Sequence, residues 1–178
     1  MRVGDVQALP FDDGSFDVVH AHQVLHHVAD PVQSLREMAR VATPGGLVAV
    51  RETDFGGYAW HPESEAITRW LDLFRAQARD NGGEPDAGRR LLGWALDAGL
   101  DHVTPGASVW CFADAEDRAW WAGSWADRLT ATTLGEQLQS SGRATAEELA
   151  SVAEGLRAWA AEPAGWFSVL HGELLVRV

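Results

Sequence analysis

Four groups of residues in this chain carry side chains capable of chemistry at neutral pH. The first is a set of histidines near the start: His20 and His22, two positions apart, and the adjacent pair His26-His27. Imidazole changes charge between pH 5 and 8, so His26 or His27 could act as a general base. Two imidazoles on one strand face also invite a metal ion, but they need a third ligand of fixed geometry, and no CxxC pair supplies one. No metal centre is expected. The second group is the run Arg51-Glu52-Thr53-Asp54, which reads either as a substrate-binding rim or as a solvated strand end. The third, Arg89-Arg90, could clamp an acidic substrate or simply face water. The fourth is the single cysteine, Cys111, which falls in a strand-like run where an inert buried thiol is expected. No serine stands in an elbow motif, so nucleophilic catalysis has little support.

The elements around these residues follow from hydrophobic pattern. Phe16-Asp17-Val18-Val19 and Leu47-Val48-Ala49-Val50 read as two short buried strands. Between them, Asp30-Pro31 is an N-cap and first-turn signal, Val32, Leu35, Met38 and Val41 recur at helical spacing, and Pro44-Gly45-Gly46 stops the helix. That is a βαβ unit with parallel strands. Both strands end at the same rim, so Ala21-His22-Gln23 and Arg51–Asp54 should face one crevice although thirty positions separate them.

A chain of 178 residues with 46% hydrophobic content can bury a real core, and one domain is the default. Its net charge of −12 repels phosphate backbones and anionic lipid, so neither nucleic acid nor a membrane surface is an expected partner. One cysteine rules out an intrachain disulfide, and there is no signal-like or twenty-residue apolar stretch, which points to a cytoplasmic address. Seven of the nine tryptophans fall between residues 60 and 125, marking that stretch as an addition to the opening unit.

Further along, Ile67, Trp70, Leu71, Phe74 and Ala78 draw one stripe of a helix over 63–79, and a second helix over 86–98 closes at Gly99. A strand follows near 107–112. Helical patterning then runs for some fifty positions, including a capping box at Thr145 and Glu148, before a long apolar strand from Trp166 to Val178 in which Gly172 suggests a bulge. Two helical insertions are expected, 58–82 and 113–163, the second suited to a lid. The tryptophans read mainly as packing, with a minority available to floor an aromatic pocket.

The combination Gly4-Asp5-Val6, Leu9-Pro10-Phe11, Ser15-Phe16-Asp17-Val18-Val19, Val24-Leu25-His26-His27-Val28, Leu35-Arg36-Glu37, Arg40-Val41 and Pro44-Gly45-Gly46 resembles the class I S-adenosylmethionine-dependent methyltransferases. It looks most like the small-molecule branch related to ubiquinone and menaquinone biosynthesis. The resemblance covers about a third of the chain strongly. It implies an α/β, Rossmann-like methyltransferase fold of which this chain supplies strands 4, 5, 7 and 6 plus a strand-3 stub in residues 1–4. It also implies a single methyltransferase-like domain over 1–178, with S-adenosylmethionine as cofactor.

By the same resemblance Asp5 corresponds to the carboxylate that accepts from the adenine amino group, and Val6 to the backbone N–H that meets the ring. Ala21, His22 and Gln23 correspond to positions along the methionine and the methyl group. His22 and His27 are then the catalytic candidates, and Arg51, Glu52, Asp54 and Arg89 the substrate-binding ones. The family's glycine-rich turn and the acidic residue after it should precede Asp5. The expectation is therefore an N-terminally truncated form or fragment that methylates a small apolar or aromatic molecule, or else an accessory module that has lost the cofactor. Either could dimerise through the exposed edge of the first strand.

Overall fold

The computed structural model describes residues 3–178. In chain order it contains β1 (Phe16–His22), α1 (Pro31–Val41), β2 (Ala42–Thr53), β3 (Ala59–His61), α2 (Glu65–Asp80), α3 (Leu91–Asp97), β4 (Val103–Phe112), α4 (Ala115–Ala131), α5 (Thr133–Ser140), α6 (Ala146–Ala160) and β5 (Trp166–Arg177). The residues group into two compact units. One takes 1–57, 82–109 and 170–178; the other takes 58–81 and 110–169, and so gathers most of both stretches read as insertions.

The first unit is the expected βαβ element with two strands added. β1 and β2 are parallel from Val18↔Leu47 to His22↔Arg51. β2 and β5 are antiparallel from Leu47↔Arg177 to Thr53↔His171, and β4 pairs with β5. The order β1-β2-β5-β4 is the 4-5-7-6 order implied by the resemblance. Because strand side chains alternate, Val48 and Val50 of β2 share a face with Leu174 and Val176 of β5. Leu35 and Met38 of α1 and Leu91 and Ala95 of α3 pack against that face in one buried cluster. Each Val, Leu or Met side chain there is worth roughly 1.5–3 kcal/mol when fully buried. α1 starts where Asp30 accepts from the Gln33 N–H at 2.8 Å and Pro31 occupies the first turn.

Two of the family-like motifs meet here for a physical reason. The connection Leu9–Asp13 has no strand partner to satisfy its backbone, and α1 does so instead. Arg40 donates to the Leu9 and Phe11 carbonyls at 3.0 and 2.9 Å, and Glu37 accepts from the Leu9 N–H at 2.8 Å. Hydrogen bonds to Glu37 first, then Asp13, hold the Arg40 guanidinium above its ordinary pKa, while the Arg40 bond lowers that of Glu37.

Three expectations are corrected. Val3 and Gly4 form no strand, and the nearby bridge Asp5↔Ala8 is isolated; the rest of the proposed stub lies outside the described residues. Gly172 is not a bulge, since the β2–β5 register runs through it without a shift. It is needed because the backbone of Gly88 lies against it: a Cβ on Gly172 would stand 2.7 Å from the Gly88 Cα and closer still to its carbonyl, and a Cβ on Gly88 would meet the Gly172 nitrogen at 2.8 Å. Cys111 is exposed, because β4 buries almost none of its side chains. β3 was not foreseen at all. Three residues carry too little alternation to read as a strand, and it forms by pairing with Trp166–Ser168 of β5.

The second unit packs α2, α4, α5 and α6 around aromatic rings. Trp70 lies 4.6 Å from Trp125 and 5.2 Å from Trp121, whose ring sits 3.9 Å from Phe167. Here Trp70, Trp121 and Trp159 are buried packing, as their helical spacing suggested, whereas Trp110, Trp120 and Trp166 are exposed. Arg118 is buried and donates to the carbonyls of Ala113, Ala160, Glu162 and Gly165, among them orphan groups at the end of α6.

The contact between Gly88 and Gly172 sets a test of the first unit. Gly172→Ala is expected to destabilise it by about 1–3 kcal/mol, the usual cost of overpacking. Urea unfolding followed by circular dichroism should show a lower midpoint, and an unchanged midpoint would mean that the two backbones are not in contact.

Candidate active site at the rim of β1 and β2

Alternation along β2 turns Glu52 to the same helix-covered face as Val48 and Val50, so its carboxylate points into the protein. It is 0% exposed. A buried carboxylate is tolerated only when its oxygens are satisfied, and the segment leaving β1 satisfies them. Oε1 accepts the Val24 and Leu25 N–H groups, both at 2.8 Å. Oε2 accepts the His26 N–H at 3.4 Å and meets His26 Nδ1 at 2.6 Å. Three successive amides at the start of the Leu25–His27 turn thus close on one side chain. The His27 ring lies against that of His26, with centroids 3.7 Å apart and the planes tilted by 44°.

Gln23 joins this turn to β1 and has φ 55°, the one non-glycine residue with positive φ among those described. A left-handed conformation costs a side-chain-bearing residue about 1–2 kcal/mol. Two contacts hold it there: its N–H donates to the Arg51 carbonyl at 2.9 Å, and its amide lies 3.1 Å from Nε2 of the fully buried His171. On the opposite face from Glu52, Arg51 reaches Glu173 at 3.1 Å, Ser108 at 2.9 Å and His22 Nε2 at 3.3 Å. The hydrogen bond from Ser108 first, and Arg51 second, hold the Glu173 carboxyl below its ordinary pKa. Arg51, Glu173 and His20 also line an open groove of about 400 Å³ with Thr104, Pro105 and Gly106.

Beyond the strand end, the segment 84–90 is stitched to the same rim. The Glu84 N–H donates to the His26 carbonyl, Phe55 N–H to the Pro85 carbonyl, and Gly56 N–H to Asp86 Oδ1 at 2.7 Å. Asp54, 1% exposed, takes a forked pair from the Arg89 guanidinium at 2.8 and 2.5 Å and the Arg89 N–H at 2.9 Å. Those bonds raise the Arg89 pKa.

The rim therefore gathers most of the expected residues and changes the part some of them play. Ala21 is buried, and His22 and Gln23 stand beside Arg51, as strand direction required. Glu52 and Asp54 do not present free carboxylates to a substrate. Glu52 clamps a loop and Asp54 clamps Arg89, because both are buried and only donors from the protein reach them. Asp5 is exposed; Oδ1 accepts the Gln7 N–H at 2.9 Å in an Asx-type turn, and Oδ2 has no partner among the described residues. Val6 is half-buried nearby. His22 and His26 also stand four apart, a spacing that on one helix can present two ligands to a metal. β1 ends between them, and among the described residues no group of three His, Cys, Asp or Glu side chains could hold an ion. His171, Ser108 and Glu173 were missed, since nothing local marks them and only the sheet register brings them to β2.

Burial first and the neighbouring His26 second hold His27 below the ordinary imidazole value of 6.5, with Glu52 partly opposing. A lowered value means that the folded state binds fewer protons than the unfolded chain, so acidification below pH 6.5 works against stability. His27 is expected to be neutral at pH 7, and an NMR titration should give a midpoint below 6.5. A midpoint above it would contradict this packing.

Known proteins resemble this chain in sequence and in fold. The methyltransferase domain family matches residues 1–50. An uncharacterized methyltransferase of Schizosaccharomyces pombe is 36% identical over 180 residues, covering 99% of this chain and 63% of its own length. The chain thus spans under two thirds of that relative. A demethylmenaquinone methyltransferase of Staphylococcus epidermidis is 50% identical over 50 residues, 28% of this chain and 21% of the enzyme. Among solved structures, the YcgJ protein of Bacillus subtilis aligns over 98% of this chain and 69% of its own with TM-score 0.52 at 17% identity, a likeness of fold. With the β1-β2-β5-β4 order and the motif-bearing opening unit, these likenesses support a class I S-adenosylmethionine-dependent methyltransferase.

Proposed function

We propose that this chain takes part in methyl transfer from S-adenosylmethionine to a small, apolar or aromatic acceptor at the rim of β1 and β2. The observation that carries the reading is the convergence of Ala21-His22-Gln23 with Arg51–Asp54 at the ends of two parallel strands, where an open α/β sheet binds its ligands.

The residues present suit the cofactor. Asp5 keeps one carboxylate oxygen uncommitted, and an acceptor-only group can read an exocyclic amine. Beside it, the Val6 backbone would meet the adenine ring, and Ala21, His22 and Gln23 would lie along the amino-acid portion. When bound, the cofactor supplies an electrophilic methyl group. The protein's share is then positioning, which in transfer reactions carries much of the rate, plus a base where the acceptor holds a proton.

His22 and His27 are candidates for that proton, and Arg51 and the exposed part of Arg89 would border the acceptor. A cytoplasmic address belongs to the same reading. So does pairing of two copies through the edge of β1, which ends the sheet and leaves Val18 58% exposed. Among the described residues no helix is long and apolar enough to cross a membrane.

Calorimetry with S-adenosylhomocysteine tests the proposal. Micromolar binding is expected, weakened about 10-fold or more in Asp5→Ala, as for loss of a hydrogen bond to a charged group. No heat at millimolar ligand, or equal affinity in the variant, would contradict it.

A further inference from the structure

His26 is more deeply embedded than His27, yet its geometry is the more chemical of the two. Its Nδ1 lies 2.6 Å from Glu52 Oε2, and the two side chains are 7% and 0% exposed. Glu52 is acceptor-only when ionised, so the proton between them belongs to Nδ1, which makes Nε2 the nitrogen with the free lone pair. No described residue bonds to Nε2. The side chain as a whole keeps 7% of its surface exposed.

Everything around the pair fixes the ring. Glu52 cannot turn, because its oxygens also hold the Val24, Leu25 and His26 amides. The His26 carbonyl is tied to Glu84, and His27 covers one side of the imidazole. A buried carboxylate on one nitrogen, a second nitrogen that no described residue bonds and a ring held on several sides form the arrangement that makes an imidazole a proton acceptor and stabilises the imidazolium that results.

We propose that Glu52 and His26 form a carboxylate–imidazole dyad whose Nε2 accepts the proton of the methyl acceptor, with His26 the catalytic base and Glu52 its positioning residue. This rests on the methyl-transfer reading and narrows the acceptor to a group that carries a removable proton, such as a phenolic hydroxyl or an amine. The acceptor's lone pair forms the new bond to carbon, the carbon–sulfur bond breaks with its electron pair left on sulfur, and the acceptor's proton passes to His26 Nε2. The sulfonium charge ends on the imidazolium beside Glu52.

His26→Asn is the discriminating variant. It sets an amide N–H where Nδ1–H stands, so the bond to Glu52 and the loop survive while the base is gone. Melting temperature and S-adenosylhomocysteine affinity should match the wild type. Given tritiated S-adenosylmethionine and a panel of simple phenols, quinols, primary amines, thioethers and pyridines, the wild type should methylate members that lose a proton. In the variant kcat should fall about 100-fold with KM unchanged, within the range for loss of a general base. Diethyl pyrocarbonate mapping by mass spectrometry reads the same nitrogen without turnover: His26 should be carbethoxylated about as fast as the exposed His22. An inert His26, an unchanged kcat in the variant, or turnover of thioethers and pyridines alone would overturn the dyad. If the wild type binds no S-adenosylhomocysteine, the methyl-transfer reading fails, and the carbethoxylation result decides whether His26 is an available base.

Discussion

The carboxylate of Glu52 is the constraint on which the rim depends. A charge with no exposure is tolerated only if donors reach it, and here all four come from one short turn after β1. The consequence runs both ways. β2 needs the turn to satisfy its carboxylate, and the turn needs β2 because its first amides have no helical partners of their own. Gln23 is drawn into a left-handed bend between the two, and His26 and His27 are delivered to the crevice in a fixed order.

The same logic repeats one step outward. Asp54 is buried because Arg89 comes to it, and Arg89 comes because Gly88 can lie against Gly172 where any side chain would collide. Segment 84–90 is therefore held to the strand ends by backbone contact and by charge together. Buried carboxylates in this unit carry little of the hydrophobic stability, which resides in Leu35, Met38, Val48, Val50 and their partners. They specify which loop lies where.

Much of this was legible in the chain. Parallel β1 and β2, the helix between them and the Asp30 cap follow from period and capping chemistry, and strand direction alone brought Ala21–Gln23 and Arg51–Asp54 to one rim. The aromatic packing of α2, α4 and α6 followed from tryptophans at helical spacing. The misses share one cause. A charged run at a strand end looks the same whether water or a loop supplies its partners, so Glu52 and Asp54 read as ligands for a substrate when they are clamps. Gly172 looked like a bulge because its neighbour, Gly88, is distant in sequence. Ser108, His171 and Glu173 become part of the rim only once β4 and β5 take their places beside β2, an outcome of long-range pairing that no local pattern records.

Amide hydrogen exchange resolved at Val24, Leu25 and His26 tests the central claim most directly. In the wild type these three amides should be strongly protected despite lying in a short turn. In Glu52→Gln, where one acceptor oxygen becomes a donor facing other donors, protection should fall by about 10-fold or more, corresponding to roughly 1.4 kcal/mol or more of lost local stability, while the amides of α1 keep theirs. Equal protection of the three amides in both proteins would show that the turn holds itself and that Glu52 is not its anchor.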